Sequence, residues 1–469
     1  MSDARELFSL LRQHADPIVV DAIAECVAEG RDRDLCRMNA VAFAKARQLD
    51  EEATISAFLH AARLGLFDIA WNVLCPACGG VLDTNATLKT VQKTEYVCAL
   101  CAAGYEPTLD EMVEVTFTVS PRVRRIEGHT PDELPLPEYY RQMYWGSGVD
   151  LPEDDYETMI DEMIVDHVEL GPGEKAVLSV PLPAEFVIVF EPVTHSAQFL
   201  DVKGEPTRER QNLSLVYDRD HTHSQTMEMR PGPLRLSLEN RTDRRVLPSI
   251  CLANDTLHDL LGRRREFLTA KRLLSNQTFR DLYRTDTLDV DQRLKITSLT
   301  FLFTDLRGST ELYERVGDLV AFDIVRSHFE VLNDIVAAEA GAVVKTIGDA
   351  VMATFPTPDR AVAAALNIRD AMARFNKDAR GEDLLLKIGV HEGPCIAVSM
   401  NERQDYFGQT VNIASRVQGL AHSQSIFVTG RVVDDARTAA LLKGKSLTPA
   451  SHDVMLRGIA REVVVYEIP

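Results

Sequence analysis

The chain has 469 residues, more than one hydrophobic core usually supports, so its length predicts at least two domains. Its apolar fraction of 45% and charged fraction of 26% are typical of globular proteins and exclude a disordered or fibrous class. The net charge of −20 argues against nonspecific attraction to nucleic acid or to an anionic membrane, since both depend on lysine and arginine. No apolar run approaches the roughly eighteen residues that a membrane helix needs, so we expect a cytoplasmic protein.

Residues 1–70 are predicted to form a small helical module. Leu7 and Leu11 near its start, and Ile55 and Phe58 near its end, recur at helical spacing. Short helices of this kind also occur in winged-helix folds, so DNA binding is an alternative that the acidic composition disfavours.

Two Cys-X-X-Cys pairs lie in residues 71–110. The first is Cys75 and Cys78, and the second is Cys98 and Cys101. This spacing is typical of a zinc ribbon, and four thiolates fill the tetrahedral shell of one structural Zn²⁺ ion. Disulfides or loss of the metal are the alternatives. The other cysteines are predicted to be buried free thiols: Cys26, Cys36, Cys251 and Cys395.

Residues 111–252 are predicted to form a β-rich regulatory domain, either a sandwich or a barrel. Short alternating stretches such as Val113–Val119, Phe186–Phe190 and Leu234–Leu238 are separated by turns with proline and glycine. The acidic stretch over residues 153–162 is predicted to be a solvated loop or helix face rather than a metal site.

Helical periodicity returns from Leu257 to Tyr283, within a predicted linker over residues 253–292. The three arginines Arg263–Arg265 are expected to be solvated. A rigid element between two domains can transmit a two-state change, so we interpret this segment as a coupling helix.

The stretch from Leu299 to Thr310 predicts a strand that ends at Asp305, a turn at Gly308, and a helix that Ser309 or Thr310 opens. A carboxylate at a strand end beside free backbone N–H groups can hold Mg²⁺ while the loop binds phosphates. The next helix is predicted to carry its apolar residues on one face: Leu319, Phe322, Val325, Phe329, Leu332 and Val336.

Residues 342–355 predict a hairpin with its turn at Gly348 and Asp349. Asp349 is either a turn former or a second metal carboxylate beside Asp305. Lys345 lies in an otherwise apolar strand, where we expect it to be buried, and a buried lysine without a partner or task is rare.

Asn412 and Arg416 lie four residues apart on a helix predicted to begin near Gly408 or Gln409, so both project from one face. The inward side of this helix is predicted to carry Val411, Ala414 and Val417. Taken alone, an asparagine and an arginine at this spacing are also typical of an ordinary exposed helix face.

The three motifs, Phe303–Thr310, Lys345–Asp349 and Asp405–Arg416, together resemble those of class III nucleotidyl cyclases in identity, order and spacing. The resemblance covers roughly residues 295–469, inside a predicted catalytic domain over 293–469. It implies a ferredoxin-like α+β fold that works as a head-to-tail dimer, with each active site built from both chains.

The resemblance also implies a role for each motif residue. By this resemblance, two Mg²⁺ or Mn²⁺ ions would be bound by Asp305, Asp349 and the backbone carbonyl of Leu306. Adenine would be bound by Lys345 and Asp405, and the rest of the substrate by Gly308, Ser309, Thr310 and Arg457. Asn412 and Arg416 would act on the ribose and the transition state. Arg457 stands where the family carries a phosphate-binding lysine, and Ala397 stands in the expected dimer arm, residues 393–404, where the family often has glycine. Since the set is complete in one chain, we expect a homodimer with two equivalent sites.

The function that the resemblance implies is adenylyl cyclase activity on ATP. A lysine donor and an aspartate acceptor match the acceptor and donor on the edge of adenine, whereas the edge of guanine carries a donor and an acceptor in the opposite positions. Guanylyl cyclases of this family carry glutamate at the position of Lys345. The alternatives are a guanylyl cyclase, a degenerate nucleotide-sensing module, or a nucleic-acid-binding regulator with a cyclase attached. His391 is expected to be structural, and the regulatory ligand of the N-terminal region is unknown.

Overall fold

The computed structural model describes residues 2–92, 95–218, 226–283, 293–378, 384–400, 403–422, 425–459 and 462–469. The chain divides into an N-terminal unit, Met1–Pro107 with Glu111–Leu268, and a C-terminal unit, Thr108–Asp110 with Thr269–Pro469. Among the described residues, no helix combines the length and the apolar character that crossing a bilayer requires.

The helices of the N-terminal unit are α1 (Ser2–Leu11), α2 (Pro17–Glu29), α3 (Ala40–Arg47), α4 (Glu51–Arg63), α5 (Leu136–Tyr139), α6 (Tyr156–Met163) and α7 (Asp255–Gly262). Acidic or amide side chains begin three of the first four, since Asp16, Asn39 and Asp50 each accept a hydrogen bond from a backbone N–H of the first turn. The helices predicted for residues 1–70 are therefore present.

The strands of the N-terminal unit are β1 (Phe67–Leu74), β2 (Val81–Asn85), β3 (Tyr96–Cys98), β4 (Ala103–Tyr105), β5 (Val113–Val119), β6 (Ile164–His167), β7 (Lys175–Leu182), β8 (Phe186–Glu191), β9 (Ser196–Val202), β10 (Gln211–Tyr217), β11 (Met227–Met229), β12 (Gly232–Asn240) and β13 (Ser249–Leu252). They form sheets ordered β2-β1-β5, β3-β4, β10-β12-β7 and β11-β9-β8-β13-β6. The last two sheets share one apolar core, to which Leu236 and Val187 both belong.

Val113–Val119 differs from the other predicted strands because it pairs with Phe67–Leu74 instead of joining the later sheets. The ring of Phe58 on α4 packs against Phe67 and Phe117 at centroid distances of 5.3 and 5.0 Å. This aromatic contact fixes the four-helix segment to the β2-β1-β5 sheet.

The predicted coupling helix over Leu257–Tyr283 is wrong, because three short helices replace it. Asp255–Gly262 ends before the arginines, and Arg264 forms an isolated bridge with Val149 in extended conformation. Thr269 and Asn276 then each cap a new helix by accepting a backbone N–H. The helical periodicity is therefore spread over three separate short helices.

The helices of the C-terminal unit are α8 (Ala270–Leu274), α9 (Gln277–Leu282), α10 (Ser309–Val316), α11 (Asp318–Ala338), α12 (Pro358–Asp378), α13 (Gln409–Leu420), α14 (Gly430–Val433) and α15 (Ala436–Gly444). Its strands are β14 (Leu294–Arg307), β15 (Ala342–Ile347), β16 (Ala350–Phe355), β17 (Leu385–Met400), β18 (Arg403–Phe407), β19 (Ile426–Thr429), β20 (Ala450–Val454) and β21 (Val463–Ile468). The sheet order is β15-β16-β14-β17-β19-β21-β20, with β18 paired to β17. The βαββαβ succession of β14, α11, β15, β16, α12 and β17 is the predicted ferredoxin-like arrangement.

The apolar face predicted for α11 is wrong at its first turn. Leu319 and Phe322 are 84% and 58% exposed, whereas Ala321, Val325 and Leu332 are buried against the sheet. The helix begins at Asp318 and already contacts the core at Ala321, so Leu319 and Phe322 are exposed because they lie off the helix face that carries the buried residues.

The contact between α13 and β17 depends on a glycine. A Cβ atom on Gly389 would lie 2.2 Å from the backbone nitrogen of Gln418, so any other residue would push α13 away from the strand. Ala414 and Val417 of α13 are fully buried at this contact, as predicted. Burial of a valine side chain contributes about 1.5–3 kcal/mol, so the helix is firmly held.

Candidate active site

Asp305 and Asp349 lie at one end of the C-terminal sheet. Asp305 is on β14, which continues to Arg307 and does not end at Asp305 as predicted, because Asp305 and Arg307 still pair with β17. Thr304 pairs with Val351, two residues after Asp349, so the β15–β16 turn brings the second carboxylate beside the first. The predicted turn at Gly348 is present, with a left-handed φ of +64°.

The two carboxylates form an electrostatically unfavourable pair. Burial raises the pKa of Asp305, the charge of Asp349 raises it further, and Lys387 lowers it. The Oδ2 atom of Asp349 is buried without a hydrogen-bond partner among the described residues. A divalent cation would satisfy both features, since it supplies the positive charge and the ligand contacts that the pair lacks.

Lys345 and Asp405 form an ion pair between β15 and β18. The Lys345 Nζ atom donates a hydrogen bond of 2.5 Å to Asp405 Oδ2, and the other carboxylate oxygen accepts the backbone N–H of Tyr406. The burial expected for Lys345 is wrong, because its side chain is 42% exposed while that of Asp405 is 13% exposed. The β15 strand is at the sheet edge, which lets the lysine reach solvent.

Asn412 and Arg416 project from α13, which begins at Gln409 as predicted. Asn412 is exposed, and Arg416 is half-buried with its guanidinium nitrogens about 3.4 Å from the position of a Cβ on Gly458. Gly458 has a left-handed φ of +75°, so the segment with Arg457 turns tightly beside Arg416. The backbone beside Arg457 therefore lies close to the guanidinium of Arg416.

The predicted site residues thus fall into three groups within one chain: the carboxylate pair, the lysine–aspartate pair, and the arginine group with Asn412. Among the described residues, no hydrogen bond or ion pair joins one group to another. Gly308, at φ +74°, precedes α10 in the predicted turn, whereas the side chains of Ser309 and Thr310 lie outside the described residues.

Two residues at the site were missed by the sequence reasoning. Gln418 of α13 lies near Asp305 and lowers the pKa of its carboxyl, and Arg280 of α9 bonds the backbone of β15 and β18. Gln418 lies two residues after Arg416, so helical spacing alone assigns it no partner. No local sequence signal distinguishes Arg280 from a solvated arginine.

His391 is buried and contacts a neighbouring strand, which agrees with the structural role expected for it. Its Nδ1 atom is 2.8 Å from the hydroxyl oxygen of Thr429, and burial lowers its pKa to about 4, assisted by Arg431. The expected dimer arm is an antiparallel hairpin in which Ala397 of β17 pairs with Tyr406 of β18.

The four paired cysteines converge in the N-terminal unit. The sulfur atoms lie within 4.8 Å of one another, with Cys75 and Cys101 at 3.8 Å and Cys78 and Cys98 at 3.7 Å. A backbone turn positions the first pair, in which Cys75 accepts a hydrogen bond from Gly79 N–H.

The other cysteines are free. Three are buried, whereas Cys36, predicted to be buried, is partly exposed because it lines an open cavity of about 290 Å³.

Comparisons with known proteins separate the two halves of the chain. A sequence model of the family of unknown function DUF5939 matches residues 1–281, and one of the adenylate and guanylate cyclase catalytic domain matches residues 292–468. An adenylate cyclase 2 of Rhizobium meliloti (strain 1021) is 32% identical over 172 residues, which cover 34% of this chain and 47% of that protein. An adenylate cyclase of Anabaena cylindrica is 28% identical over 185 residues, 36% of each chain.

Among solved structures, the adenylyl cyclase CyaB from P. aeruginosa is 23% identical and aligns with a TM-score of 0.34 over 38% of this chain and 96% of that one. The chain spans less than half of the length of the two cyclase relatives named above. The match over residues 1–281 covers more than half of the chain, and the cyclase match includes all three predicted motifs. The chain therefore belongs to the family DUF5939, and its residues 292–468 are a class III adenylate and guanylate cyclase catalytic domain.

Proposed function

We propose that the protein is an adenylyl cyclase that converts ATP to 3′,5′-cyclic AMP and pyrophosphate. The observation that carries this proposal is the ion pair of Lys345 and Asp405, which presents a donor and an acceptor side by side at the sheet edge. A lysine donor suits adenine N1 and an aspartate acceptor suits the 6-amino group, whereas the edge of guanine has the opposite polarity. The cyclase relatives named above are adenylate cyclases.

Asp305 and Asp349 would hold two Mg²⁺ or Mn²⁺ ions, with the carbonyl of Leu306 as a further oxygen ligand. The buried, unpaired oxygen of Asp349 and the raised pKa of Asp305 fit this donor set. When bound, such ions favour the deprotonated 3′-hydroxyl and neutralise charge on the triphosphate. The role of the two carboxylates would therefore be to hold this positive charge beside the reacting phosphate.

Arg416 and Asn412 would act on the reacting part of the nucleotide. Attack of the ribose 3′-oxygen on the α-phosphorus expels pyrophosphate and builds negative charge on the α-phosphoryl oxygens. Arg416 would stabilise that charge, and Asn412 would orient the ribose. Arg457, which lies next to Gly458 beside Arg416, would bind the outgoing phosphates together with the turn at Gly308.

The active site is proposed to form between two copies of the chain. Each chain carries all three groups, and the groups are not bonded to one another within one chain. A head-to-tail homodimer would place the carboxylate pair of one copy opposite the lysine and arginine groups of the other, giving two equivalent sites.

The N-terminal unit is proposed to regulate this activity. Residues 108–110, which interrupt it, belong to the C-terminal unit. There Asp110 accepts hydrogen bonds from Thr297 N–H and Ser298 N–H at 3.0 and 3.2 Å, at the irregularity in β14. The strand that carries Asp305 is thus held by a segment of its own unit that lies, in the sequence, between two stretches of the N-terminal unit.

The proposed reaction is tested by product analysis of the full chain incubated with ATP and Mg²⁺ or Mn²⁺. Cyclic AMP and pyrophosphate should form in equal amounts. Release of inorganic phosphate or of AMP without cyclic product would contradict the proposal.

We further propose that Cys75, Cys78, Cys98 and Cys101 bind one structural Zn²⁺ ion. Sulfurs at about 2.3 Å from a tetrahedrally coordinated zinc lie about 3.8 Å apart, which matches the Cys78–Cys98 and Cys75–Cys101 pairs at 3.7 and 3.8 Å. With four protein ligands the site has no open position, so its role is to stabilise this segment of the N-terminal unit.

Replacing one ligand tests the zinc site. Purified protein is expected to contain about one zinc per chain by elemental mass spectrometry, and Cys78→Ser should lose most of it and unfold at a lower temperature, because the binding free energy contributes to folding. Cys251→Ser is the matched control, since that cysteine is buried but far from the cluster in sequence. Equal zinc content in both variants would contradict the assignment.

A further inference from the structure

Arg280 bridges the two strands that carry Lys345 and Asp405, which we call the base-reading pair. Its Nη2 atom donates to the carbonyl of Val344 at 3.3 Å and to the carbonyl of Gln404 at 3.0 Å. Val344 directly precedes Lys345, and Gln404 directly precedes Asp405. One guanidinium nitrogen therefore holds the two peptide groups from which both side chains of the pair extend.

The Val344 carbonyl is accessible because β15 is irregular at this point. Val343 pairs with Ala353 and Lys345 pairs with Met352, so Val344 is the extra residue of a bulge. A bulge leaves the extra residue without its partner in the ladder. Arg280 satisfies this carbonyl, and the side-chain oxygen of Gln277 accepts the Val343 N–H at 2.8 Å.

The same segment also contacts β18 through a buried tyrosine. The hydroxyl of Tyr406, the residue after Asp405, donates to the carbonyl of Leu274 at 3.2 Å. Tyr406 is fully enclosed, and its ring packs edge-on against Phe301 at 5.6 Å. β15 is thus bonded to α9, and β18 is bonded to both α8 and α9, at residues close to Lys345 and Asp405.

No backbone ladder among the described strands joins β15 to β18. The first pairs with β16 and the second with β17. The sheet therefore links the two strands indirectly, through β16, β14 and β17, whereas the Arg280 guanidinium bonds the backbone of both strands directly.

We propose that Arg280 is a positioning residue that sets the geometry of Lys345 and Asp405 and thereby the affinity and selectivity for adenine. This inference rests on the proposed adenylyl cyclase function. Arg280 itself bonds backbone carbonyls and not the nucleotide, so its effect should appear in KM and in base selectivity more than in kcat.

The test compares Arg280→Gln, Arg280→Lys and Arg272→Gln in the full chain. Arg272 is the matched control, because it lies on the neighbouring helix α8 and likewise donates to a backbone carbonyl, that of Ala340, at 3.2 Å. We expect Arg280→Gln to raise KM for ATP by about tenfold to a hundredfold, the cost of a misplacement of about 1 Å, and to lower the ATP-to-GTP ratio of kcat/KM. Arg280→Lys should restore part of the loss, and Arg272→Gln should leave the ratio unchanged.

A second measurement separates this inference from the proposed reaction. Dissociation constants of the fluorescent N-methylanthraniloyl derivatives of ATP and GTP report base selectivity without turnover, and they should change in the same direction in Arg280→Gln. If the wild-type chain binds the ATP derivative selectively but makes no cyclic nucleotide, the proposed reaction fails while the role of Arg280 is still measured. Unchanged KM and selectivity in Arg280→Gln, or equal losses in Arg280→Gln and Arg272→Gln, would overturn the inference, as would a wild-type chain that binds neither derivative.

Discussion

Asp305→Ala and Asp349→Ala are each expected to lower kcat for cyclic AMP formation on the order of a thousandfold. The metals would supply several kcal/mol of charge stabilisation, and each 1.4 kcal/mol or so corresponds to about a tenfold change in rate. The measurement is the initial rate of cyclic AMP production with saturating ATP and either Mg²⁺ or Mn²⁺. Because removing one carboxylate also relieves repulsion in the pair, we expect both variants to fold normally, which thermal unfolding would check.

Asp370→Ala on the exposed face of α12 is the control, and it should keep wild-type activity. Mixing Asp305→Ala with Arg416→Ala then tests whether the sites are shared. If each site takes its carboxylates from one chain and its arginine from the other, random pairing should restore about a quarter of the wild-type activity. No recovery after subunit exchange would contradict a shared site, and rates within tenfold of wild type in Asp305→Ala would contradict its role.

Lys345→Glu is expected to lower kcat/KM for ATP by at least about a hundredfold. The substitution replaces the donor to adenine with an acceptor, and a site built for a hydrogen bond strongly disfavours a partner that cannot form it. It also places a second carboxylate at the 2.5 Å contact with Asp405, so the pair would repel and open. Selectivity should therefore shift toward GTP.

The measurement for this variant is kcat/KM with ATP and with GTP under the same conditions. Lys443→Glu, an exposed lysine at the end of α15, has the same charge change and serves as the control. An unchanged ratio in Lys345→Glu would show that Lys345 does not read the base.

The motif residues could be predicted because their chemistry is encoded locally. The turn at Gly348, the turn at Gly308 and the start of α13 at Gln409 each follow from a few neighbouring residues, and the structure confirms all three. The four cysteines were also predictable as a cluster, because two Cys-X-X-Cys turns have few other uses at that spacing.

The errors arose where long-range contacts decide the structure. Helical periodicity in Leu257–Tyr283 could not show that Thr269 and Asn276 act as caps and restart the helix twice. Leu319 has the apolar character of a core residue, yet it is 84% exposed because it lies off the helix face that packs on the sheet.

The contacts around Lys345 and Asp405 also could not be predicted from local sequence patterns. Lys345 meets Asp405 across 60 residues, and Arg280 reaches Gln404 across 124. Such contacts are set by the order of strands in the sheet, which a single sequence does not encode locally.

The most direct test of the central claim is a parallel assay of the full wild-type chain with ATP and with GTP, each with Mg²⁺ and with Mn²⁺, and with Asp305→Ala as the blank. We predict cyclic AMP as the main product, with a higher kcat/KM for ATP than for GTP and no product above background from the variant. Cyclic GMP as the preferred product, or no cyclic nucleotide from the wild-type chain with either metal, would contradict this account.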